Sequence, residues 1–136
     1  MAEFVLKDLA KKAGREREFS IASCATSTEE IWGDIGNPVY PPVKALLSRL
    51  GIFCEGKRAV LLTRADGEKY DLWLGMDDNN LRRMKGILGE KYADKCHKLL
   101  EYTGIGGNVA DPWYTRDFET TYRYVYAACQ ALLAKI

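Results

Sequence analysis

The sequence predicts an α/β domain of three layers, a sandwich in which helices cover both faces of a small parallel sheet. Segments with apolar residues at helical spacing alternate along the 136 residues with short extended apolar runs. Residues 70–76 are the clearest strand, an aromatic and aliphatic run of the kind that parallel sheets bury on both faces. Strands that alternate with helices form parallel sheets that those helices cover. We therefore expect a single domain over residues 1–136.

The first part of the chain predicts a helix, a short strand and a long loop. Apolar residues at helical spacing and a basic last turn predict a helix that begins at Met1 and ends near Gly14. Residues 19–25 alternate between two faces, as a short strand does. Residues 26–42 hold two glycines and three prolines, which predicts a loop, and a loop of this length is often functional.

The middle of the chain predicts a second helix and one segment with two interpretations. Residues 43–50 carry an apolar stripe, so the second helix is expected to begin just after Pro42 and to end at the glycine that follows. Residues 58–63 are consistent with a strand. They are equally consistent with Thr63 as the cap of a short helical turn over residues 65–69.

The second half predicts two helices and a strand. Asp77 or Asp78 is expected to cap a helix over residues 81–88, which a glycine ends. Residues 95–102 alternate as a strand does. Residues 117–136 carry the apolar stripe of a long terminal helix.

Charge and composition exclude several classes of protein. The chain has 20 basic and 19 acidic residues, interspersed, for a net charge of +1. No overall field therefore favours binding to nucleic acid or to an anionic membrane. No apolar run approaches the roughly 18 residues of a membrane span, and the charge-rich start lacks the apolar stretch of a secretory signal. These features predict a cytoplasmic protein that binds neither nucleic acid nor a membrane.

The cysteines predict neither a zinc site nor a disulfide framework. They lie far apart, at Cys24, Cys54, Cys96 and Cys129, and His97 is the single histidine. No Cys-x2-Cys pair brings two possible ligands together. We expect buried free thiols, no metal and no cofactor.

Four short motifs follow one another along the chain. They are Met1-Ala2-Glu3, Ser23-Cys24-Ala25-Thr26-Ser27, Asp71-Leu72-Trp73-Leu74-Gly75-Met76-Asp77-Asp78-Asn79-Asn80-Leu81 and Asp111-Pro112-Trp113-Tyr114. In this order, and over essentially the whole chain, they resemble the low-molecular-weight protein tyrosine phosphatase family. The third motif is similar to the family's strand before an acidic helix. The fourth is similar to its Asp-Pro-aromatic-aromatic motif before the last helix.

The resemblance implies a site for phosphotyrosine proteins or small aryl phosphates. In this family a cysteine thiolate attacks phosphorus, arginine and backbone amides hold the phosphoryl oxygens, and an aspartic acid protonates the leaving phenolate. The resemblance implies that Asp111 is the general acid, and that Trp32, Trp113 and Tyr114 flank the phenol ring of the substrate. From the residues alone, Asp111 before a proline is also consistent with an ordinary turn residue, and the aromatic residues with packing.

One part of the family pattern does not occur in the 136 residues. Six positions after the four cysteines stand Glu30, Val60, Tyr102 and Lys135, so there is no Cys-x5-Arg phosphate loop. In the family that loop follows a central first strand and immediately precedes the residues that resemble Met1-Ala2-Glu3. We therefore expect a chain shortened at its N-terminus relative to the family. By itself it is expected to be catalytically incompetent, because the nucleophile and the phosphate-binding arginine are missing.

Two smaller departures concern the loops. Cys24 stands where the family usually has alanine, and Tyr40 and Pro42 stand where it tends to have aspartate and arginine. These substitutions predict a loop of different shape from the family's.

The missing strand also predicts how the chain associates. A family-type sheet without its central strand has two unpaired edges, through which the chain would form a homo-oligomer. An alternative function is that of a noncatalytic interaction module, which binds a partner through the aromatic loop or the open sheet edge.

Overall fold

The computed structural model describes residues 1–27, 31–32 and 35–136, and at residues 31, 32, 35 and 113 it describes the backbone alone. The longer helices fall where the sequence predicts them. They are α1 (Ala2–Lys12), α2 (Pro41–Arg49), α3 (Asp78–Leu88) and, after the single-turn α4 (Pro112–Thr115), α5 (Phe118–Lys135). Short 3-10 turns span Glu16–Glu18, Arg64–Glu68, Glu90–Lys95 and Leu99–Thr103. Among the helices described, none is long and apolar enough to cross a membrane.

The strands are short and lie in two ladders. They are β1 (Ile31–Trp32), β2 (Ile35–Gly36), β3 (Trp73–Gly75) and β4 (Cys96–Lys98). β1 pairs with β2 in antiparallel fashion, and β3 pairs with β4 in parallel. The parallel register is Trp73↔Cys96, Leu74↔His97 and Gly75↔Lys98. The strands predicted over residues 70–76 and 95–102 are thus present but shorter than expected.

β4 ends early because the residues that follow it form hydrogen bonds with their near neighbours in the sequence. The Glu101 carboxylate accepts the backbone N–H of Lys98 at 3.1 Å, and the Thr103 hydroxyl donates to the Leu100 carbonyl at 2.7 Å. Such local bonds offer the backbone an alternative to a strand ladder. The chain therefore turns where the alternating pattern predicts that the strand continues.

The first predicted strand, residues 19–25, forms a single bridge, from its last residue to Leu61. Its polar groups have other partners instead. The Ser23 hydroxyl donates to the Glu3 carboxylate at 2.6 Å, and the Ser23 carbonyl accepts from the Lys57 ammonium at 3.0 Å. The prediction of a regular strand here is wrong, and at Ser23 the reason is that a lysine side chain occupies a backbone carbonyl that a ladder would use.

Residues 58–63 combine both structures that the sequence leaves open. Arg58 forms an antiparallel bridge with Pro38, as a strand residue would. Thr63 caps the 3-10 turn that follows, because its N–H and its hydroxyl donate to the Asp66 carboxylate at 2.9 and 3.0 Å.

Part of the predicted loop over residues 26–42 is ordered by the β1–β2 ladder and by a close backbone contact. Gly36 packs against Ala59 so closely that a Cβ at residue 36 would overlap the Ala59 carbonyl oxygen. The Ala59 N–H donates to the Asn37 carbonyl at 2.9 Å. Glycine is therefore required at position 36 for space.

The start of α2 lies earlier than predicted, at Pro41 rather than after Pro42. Backbone N–H groups in the first turn of a helix have no intrahelical acceptor, so neither proline breaks a hydrogen bond. The Tyr40 carbonyl accepts the N–H groups of Val43 and Lys44 at 2.9 and 3.0 Å. Tyr40 is thus fixed to the first turn of α2.

Both ends of α3 are fixed by the residues that the sequence predicts. The Asp77 carboxylate accepts the backbone N–H of Asn80 at 2.7 Å. Gly89 follows the helix at φ 86°, a left-handed angle that favours glycine. The atom nearest to the place where a Cβ of residue 89 would stand is the Arg64 guanidinium, at 2.8 Å, and that flexible side chain could move away, so the backbone angle is the reason for glycine.

The hydrophobic core has two parts, one on each face of β3. The smaller part contains Leu62, Trp73, Met84, Leu88 and Cys96. Leu72, Leu74 and Met76 pack against the larger part, whose buried members are Val5, Val43, Leu47, Ile52, Cys54, Leu99, Leu100, Val109, Val125, Ala128, Cys129 and Leu132. Successive residues of a strand point to opposite faces, so α3 covers one face and α1, α2 and α5 cover the other. The predicted α/β architecture is confirmed.

α1 and α5 pack along each other, and Arg15 joins their ends. The Arg15 guanidinium donates from Nη1 to the Leu133 carbonyl and from Nη2 to the Ile136 carbonyl, both at 2.8 Å. The last carbonyls of a helix have no intrahelical donors. A side chain that lies more than a hundred residues earlier therefore caps the last turn of α5.

Replacing Leu47 with alanine is expected to destabilise the protein strongly. Leu47 has no exposed surface, whereas Leu50, near the end of the same helix, is 43% exposed. Leu47→Ala should lower the free energy of unfolding by about 2–5 kcal/mol, because it leaves a cavity in the larger core. Leu50→Ala is the matched control and should cost less than about 1 kcal/mol. Urea denaturation followed by circular dichroism measures both, and equal losses would contradict the assignment of Leu47 to the core.

Candidate active site

The residues before Asp111 are fixed at the carboxyl end of β3. The Val109 N–H donates to the Met76 carbonyl at 2.8 Å, and the Val109 side chain is buried in the larger core. The Thr121 hydroxyl, on α5, donates to the Ala110 carbonyl at 3.1 Å. The segment that leads to Asp111 is therefore held between β3 and α5.

A three-residue polar cluster anchors the same segment one position earlier. The Lys98 ammonium lies 2.8 Å from the Asp78 carboxylate and 3.2 Å from the Asn108 side-chain oxygen. The Asn108 amide donates to the second oxygen of Asp78 at 3.3 Å. Lys98 and then Asn108 lower the pKa of the Asp78 carboxyl below its ordinary value. Asp78 is therefore a charged anchor and a poor general acid.

Asp111 lies directly before α4 and is exposed to solvent. Its carbonyl accepts the N–H groups of Tyr114 and Thr115 at 3.1 and 3.2 Å, which begins the single turn of α4. Pro112 occupies the first position of that turn, where a missing N–H costs nothing. The backbone of Asp111 is thus fixed on both sides, while its side chain lies at the surface.

The aromatic residues that the sequence singles out lie in two places. Trp113 and Tyr114 are in α4, and Trp32 is in β1, in the loop that ends at Tyr40. The side chain of Tyr114 is 78% exposed. The side chains of Trp32 and Trp113 are outside the described part of the structure. Their expected position around a substrate ring stays a prediction.

A hydrogen bond that sequence reasoning missed connects these two places. The Arg116 guanidinium donates from Nη1 to the Tyr40 hydroxyl at 2.5 Å. The Tyr40 ring packs on the Phe118 ring, with centroids 5.8 Å apart. The sequence offered one signal for this contact, which is that Tyr40 replaces the aspartate typical of the family.

Arg116 holds an unfavourable backbone angle. Its φ is 58°, and no other non-glycine residue in the described part of the chain has a positive φ. A side-chain-bearing residue in this region costs on the order of 1 kcal/mol. Such strain is concentrated at functional sites in proteins, and here it falls directly between α4 and α5.

The start of α1 carries a buried carboxylate, Glu3, in its first turn. The ammonium groups of Lys7 and Lys57 lie 2.6 and 2.9 Å from it, and the Ser23 hydroxyl also donates to it. Burial by itself raises the pKa of the Glu3 carboxyl, but these three donors outweigh burial and hold the pKa below its ordinary value. The negative charge that suits a helix N-terminus is therefore supplied by Glu3 in this structure.

No group of three or more His, Cys, Asp or Glu side chains in the described residues is arranged to hold a metal ion. Asp78 pairs with Lys98 and Asn108, and Glu3 pairs with Lys7, Lys57 and Ser23. The arrangement at the carboxyl ends of β3 and β4 therefore offers an exposed carboxyl group on a fixed backbone, beside exposed aromatic surface. That combination suits proton transfer to an aromatic ligand.

Comparison with known proteins agrees with the motif order. Residues 1–136 match the family described as low molecular weight phosphotyrosine protein phosphatase. The low molecular weight protein-tyrosine-phosphatase YfkJ of Bacillus subtilis is 31% identical over 138 residues, which cover 100% of this chain and 86% of that protein. The low molecular weight phosphotyrosine protein phosphatase of Gallus gallus is 31% identical over 142 residues, covering 99% of this chain and 85% of that protein.

Solved structures agree as well. The crystal structure of YfkJ from Bacillus subtilis superposes with a TM-score of 0.91 at 30% identity, covering 99% of this chain and 84% of that one. The tyrosine phosphatase SP-PTP from Streptococcus pyogenes superposes with a TM-score of 0.85 at 32% identity, covering 99% of this chain and 82% of that one. The match to the family extends over every element described above, from α1 to α5. The chain therefore belongs to the low-molecular-weight phosphotyrosine protein phosphatase family.

Proposed function

We propose that this chain belongs to a site that hydrolyses phosphotyrosine proteins or small aryl phosphates. In that site Asp111 is the general acid. The observation that carries the proposal is the anchoring of residues 108–110 at the carboxyl ends of β3 and β4. Open α/β sheets bind their ligands at that edge. The exposure of Asp111 supports the proposal, because a substrate can reach its carboxyl group.

In the proposed reaction, Asp111 gives its proton to the leaving phenolate oxygen. A cysteine thiolate forms the new bond to phosphorus as the phosphorus–oxygen bond to the aryl group breaks. Trp32, Trp113 and Tyr114 flank the aryl ring. The high exposure of Tyr114 supports this role, since a buried ring would be unavailable to a ligand.

The 136 residues do not themselves supply the nucleophile in this proposal. They contain no cysteine that is followed six positions later by an arginine. Three of the four thiols also have pKa values shifted in the wrong direction for a nucleophile. Burial raises the pKa of the Cys129 thiol to about 12, and desolvation also raises the pKa values of Cys24 and Cys96. A phosphatase nucleophile needs a lowered pKa.

We therefore propose that these residues by themselves do not catalyse hydrolysis. General acid catalysis is worth about 10² to 10⁴ in rate, and it cannot replace a covalent route that lacks its nucleophile and its phosphate-binding arginine. Activity would require a strand and a Cys-x5-Arg loop of the family type before α1. We place this activity in the cytoplasm, since the four free cysteines suit a reducing compartment.

A thiol-labelling experiment tests the absence of an activated cysteine. Near neutral pH, each of the four thiols should react with iodoacetamide more slowly than the cysteine of a short peptide, because burial or desolvation protects them. Cys24, the exposed one, should react first, and the buried Cys54, Cys96 and Cys129 should react after unfolding in urea. Mass spectrometry of digests gives the rate at each site. A native thiol that reacts faster than the peptide would contradict this part of the proposal.

An activity assay tests the acid role directly. The 136-residue chain should hydrolyse p-nitrophenyl phosphate no faster than buffer does. The chain extended at its N-terminus by a family-type strand and Cys-x5-Arg loop should hydrolyse it with an optimum at acid pH. In the extended chain, Asp111→Asn should lower kcat/KM for phenyl phosphate by about 10² to 10⁴, because the poor leaving group needs a proton.

The control for that assay is Asp71→Asn, which alters an exposed carboxylate at the start of the β3 segment. It should leave the rate within about twofold, as surface substitutions usually do. A folded but inactive extended chain, or an extended chain that Asp111→Asn leaves unchanged, would overturn the proposed function.

A second candidate is a noncatalytic interaction module, and one observation favours it. Within the described residues β3 has a single strand neighbour, β4, so one edge of β3 is without a ladder partner there. Exposed strand edges add further strands readily. We propose that this edge of β3 pairs with the same edge in a second copy of the chain. The 136-residue chain would then be a homo-oligomer.

Size-exclusion chromatography with light scattering tests this association. The 136-residue chain should show a mass that rises above the monomer value as its concentration increases. The extended chain is the matched control, because its added strand covers the edge, and it should remain monomeric. A 136-residue chain that stays monomeric at every concentration would exclude the second candidate.

A further inference from the structure

The contact between Tyr40 and Arg116 joins two separate parts of the proposed site. Tyr40 ends the loop that contains β1 and Trp32, and its carbonyl is fixed by the first turn of α2. Arg116 lies directly after α4, and its N–H donates to the Pro112 carbonyl at 2.9 Å. A side-chain hydrogen bond of 2.5 Å therefore connects the start of α2 to the turn that follows Asp111.

The surroundings of this contact fix its geometry. The Tyr40 ring packs on Phe118, the first residue of α5, with an angle of 40° between the rings. Asp117 follows Arg116 and precedes Phe118 in the chain. Its carboxylate accepts the Thr120 N–H at 3.1 Å and caps α5. The Tyr40 hydroxyl is thus held in place by packing, and the guanidinium reaches it from a short, constrained connection.

The backbone of Arg116 indicates why a charged side chain stands at this position. A connection at φ 58° suits glycine, which would adopt it without strain. Arginine adopts this angle at a cost in free energy. The described contact of its guanidinium is with Tyr40, at the end of the loop that contains Trp32. The residue with the strained backbone thus also forms a link between two parts of the proposed site.

We propose that Tyr40 and Arg116 are positioning residues that keep the segment of Asp111 at a fixed distance from the loop of Trp32. The proposal rests on the proposed function, since it concerns where the acid stands relative to the aryl ring. The acid must lie within hydrogen-bond reach of the leaving oxygen, and displacements of about 1 Å reduce rates strongly. Neither residue is itself required to touch the substrate.

The first experiment uses the 136-residue chain and needs no activity. Tyr40→Phe removes only the hydroxyl that accepts from Arg116. The amides of Tyr114, Thr115 and Arg116 should then exchange with water about fivefold faster, which corresponds to the loss of one ordinary hydrogen bond. Water-exchange NMR measures these rates. Tyr124→Phe is the matched control, because Tyr124 is 53% exposed on α5, and it should leave the rates unchanged.

The second experiment uses the extended chain and two substrates. Tyr40→Phe and Arg116→Gly should each lower kcat/KM for phenyl phosphate about tenfold, because the poor leaving group depends on a well-placed acid. With p-nitrophenyl phosphate, whose leaving group depends less on the proton, the loss should stay within about twofold. Arg116→Gly should not lower the melting temperature, since it also relieves the backbone strain.

The outcomes separate this inference from the proposed function. An inactive extended chain overturns the proposed function, while amide exchange in the 136-residue chain still decides whether Tyr40 and Arg116 couple the two segments. Unchanged exchange overturns the coupling. Faster exchange combined with equal losses for both substrates, or with a lower melting temperature for Arg116→Gly, assigns the contact a purely structural role and overturns the positioning role.

Discussion

The burial of β3 between two hydrophobic layers is the constraint on which the other elements depend. Trp73 faces α3, while Leu72, Leu74 and Met76 face the core formed with α1, α2 and α5. A strand that is apolar on both faces is stable only when helices cover both. Its direction then fixes where its carboxyl end opens, and with it the edge at which polar residues from later in the chain can gather.

The candidate site follows from that edge. Met76, the residue after β3, accepts the backbone N–H of Val109, and Asp78 in the next turn holds Lys98 and Asn108. The same short stretch of chain thus ends a strand, starts a helix and anchors the segment before Asp111. Asp77 caps α3, and Asp78 forms the ion pair with Lys98. Asp111 follows this anchored segment, so its backbone is fixed while its side chain lies at the surface.

The sequence predicted the helices well because their signals are local. Apolar spacing, the cap at Asp77 and the glycines at 14 and 89 are sufficient to place their ends within a few residues. The same reasoning gave a wrong prediction for residues 19–25. The alternation of side chains along a segment does not show that Ser23 forms hydrogen bonds with Glu3 and Lys57. The length of β4 was misjudged for a similar reason, because Glu101 turns the chain through a local hydrogen bond.

The motif order was sufficient to predict the family, and the roles of Asp111 and its aromatic neighbours, which follow from that resemblance, stay proposals. The Tyr40–Arg116 contact was not predictable, because it depends on a left-handed backbone angle and on the meeting of two distant loops. The anchoring by Lys98 and Asn108 was likewise not predictable, because both contact Asp78, which lies 20 and 30 positions earlier in the sequence. Local patterns therefore gave the residues for which we propose a chemical role, and tertiary contacts determined how the backbone around Asp111 is held.

The cap that Arg15 forms on the last turn of α5 has a consequence for how the chain acquires its structure. Val5 and Leu132 share one core, and Arg15 hydrogen-bonds to Ile136, so the first helix finds its main partner at the far end of the polypeptide. During synthesis, α1 leaves the ribosome long before α5, so the packing between these two helices cannot form until α5 has emerged. Closing so long a loop is slow compared with forming either helix. The part of the core that α1 forms with α5 is therefore completed late in synthesis, after the other members of that core have emerged.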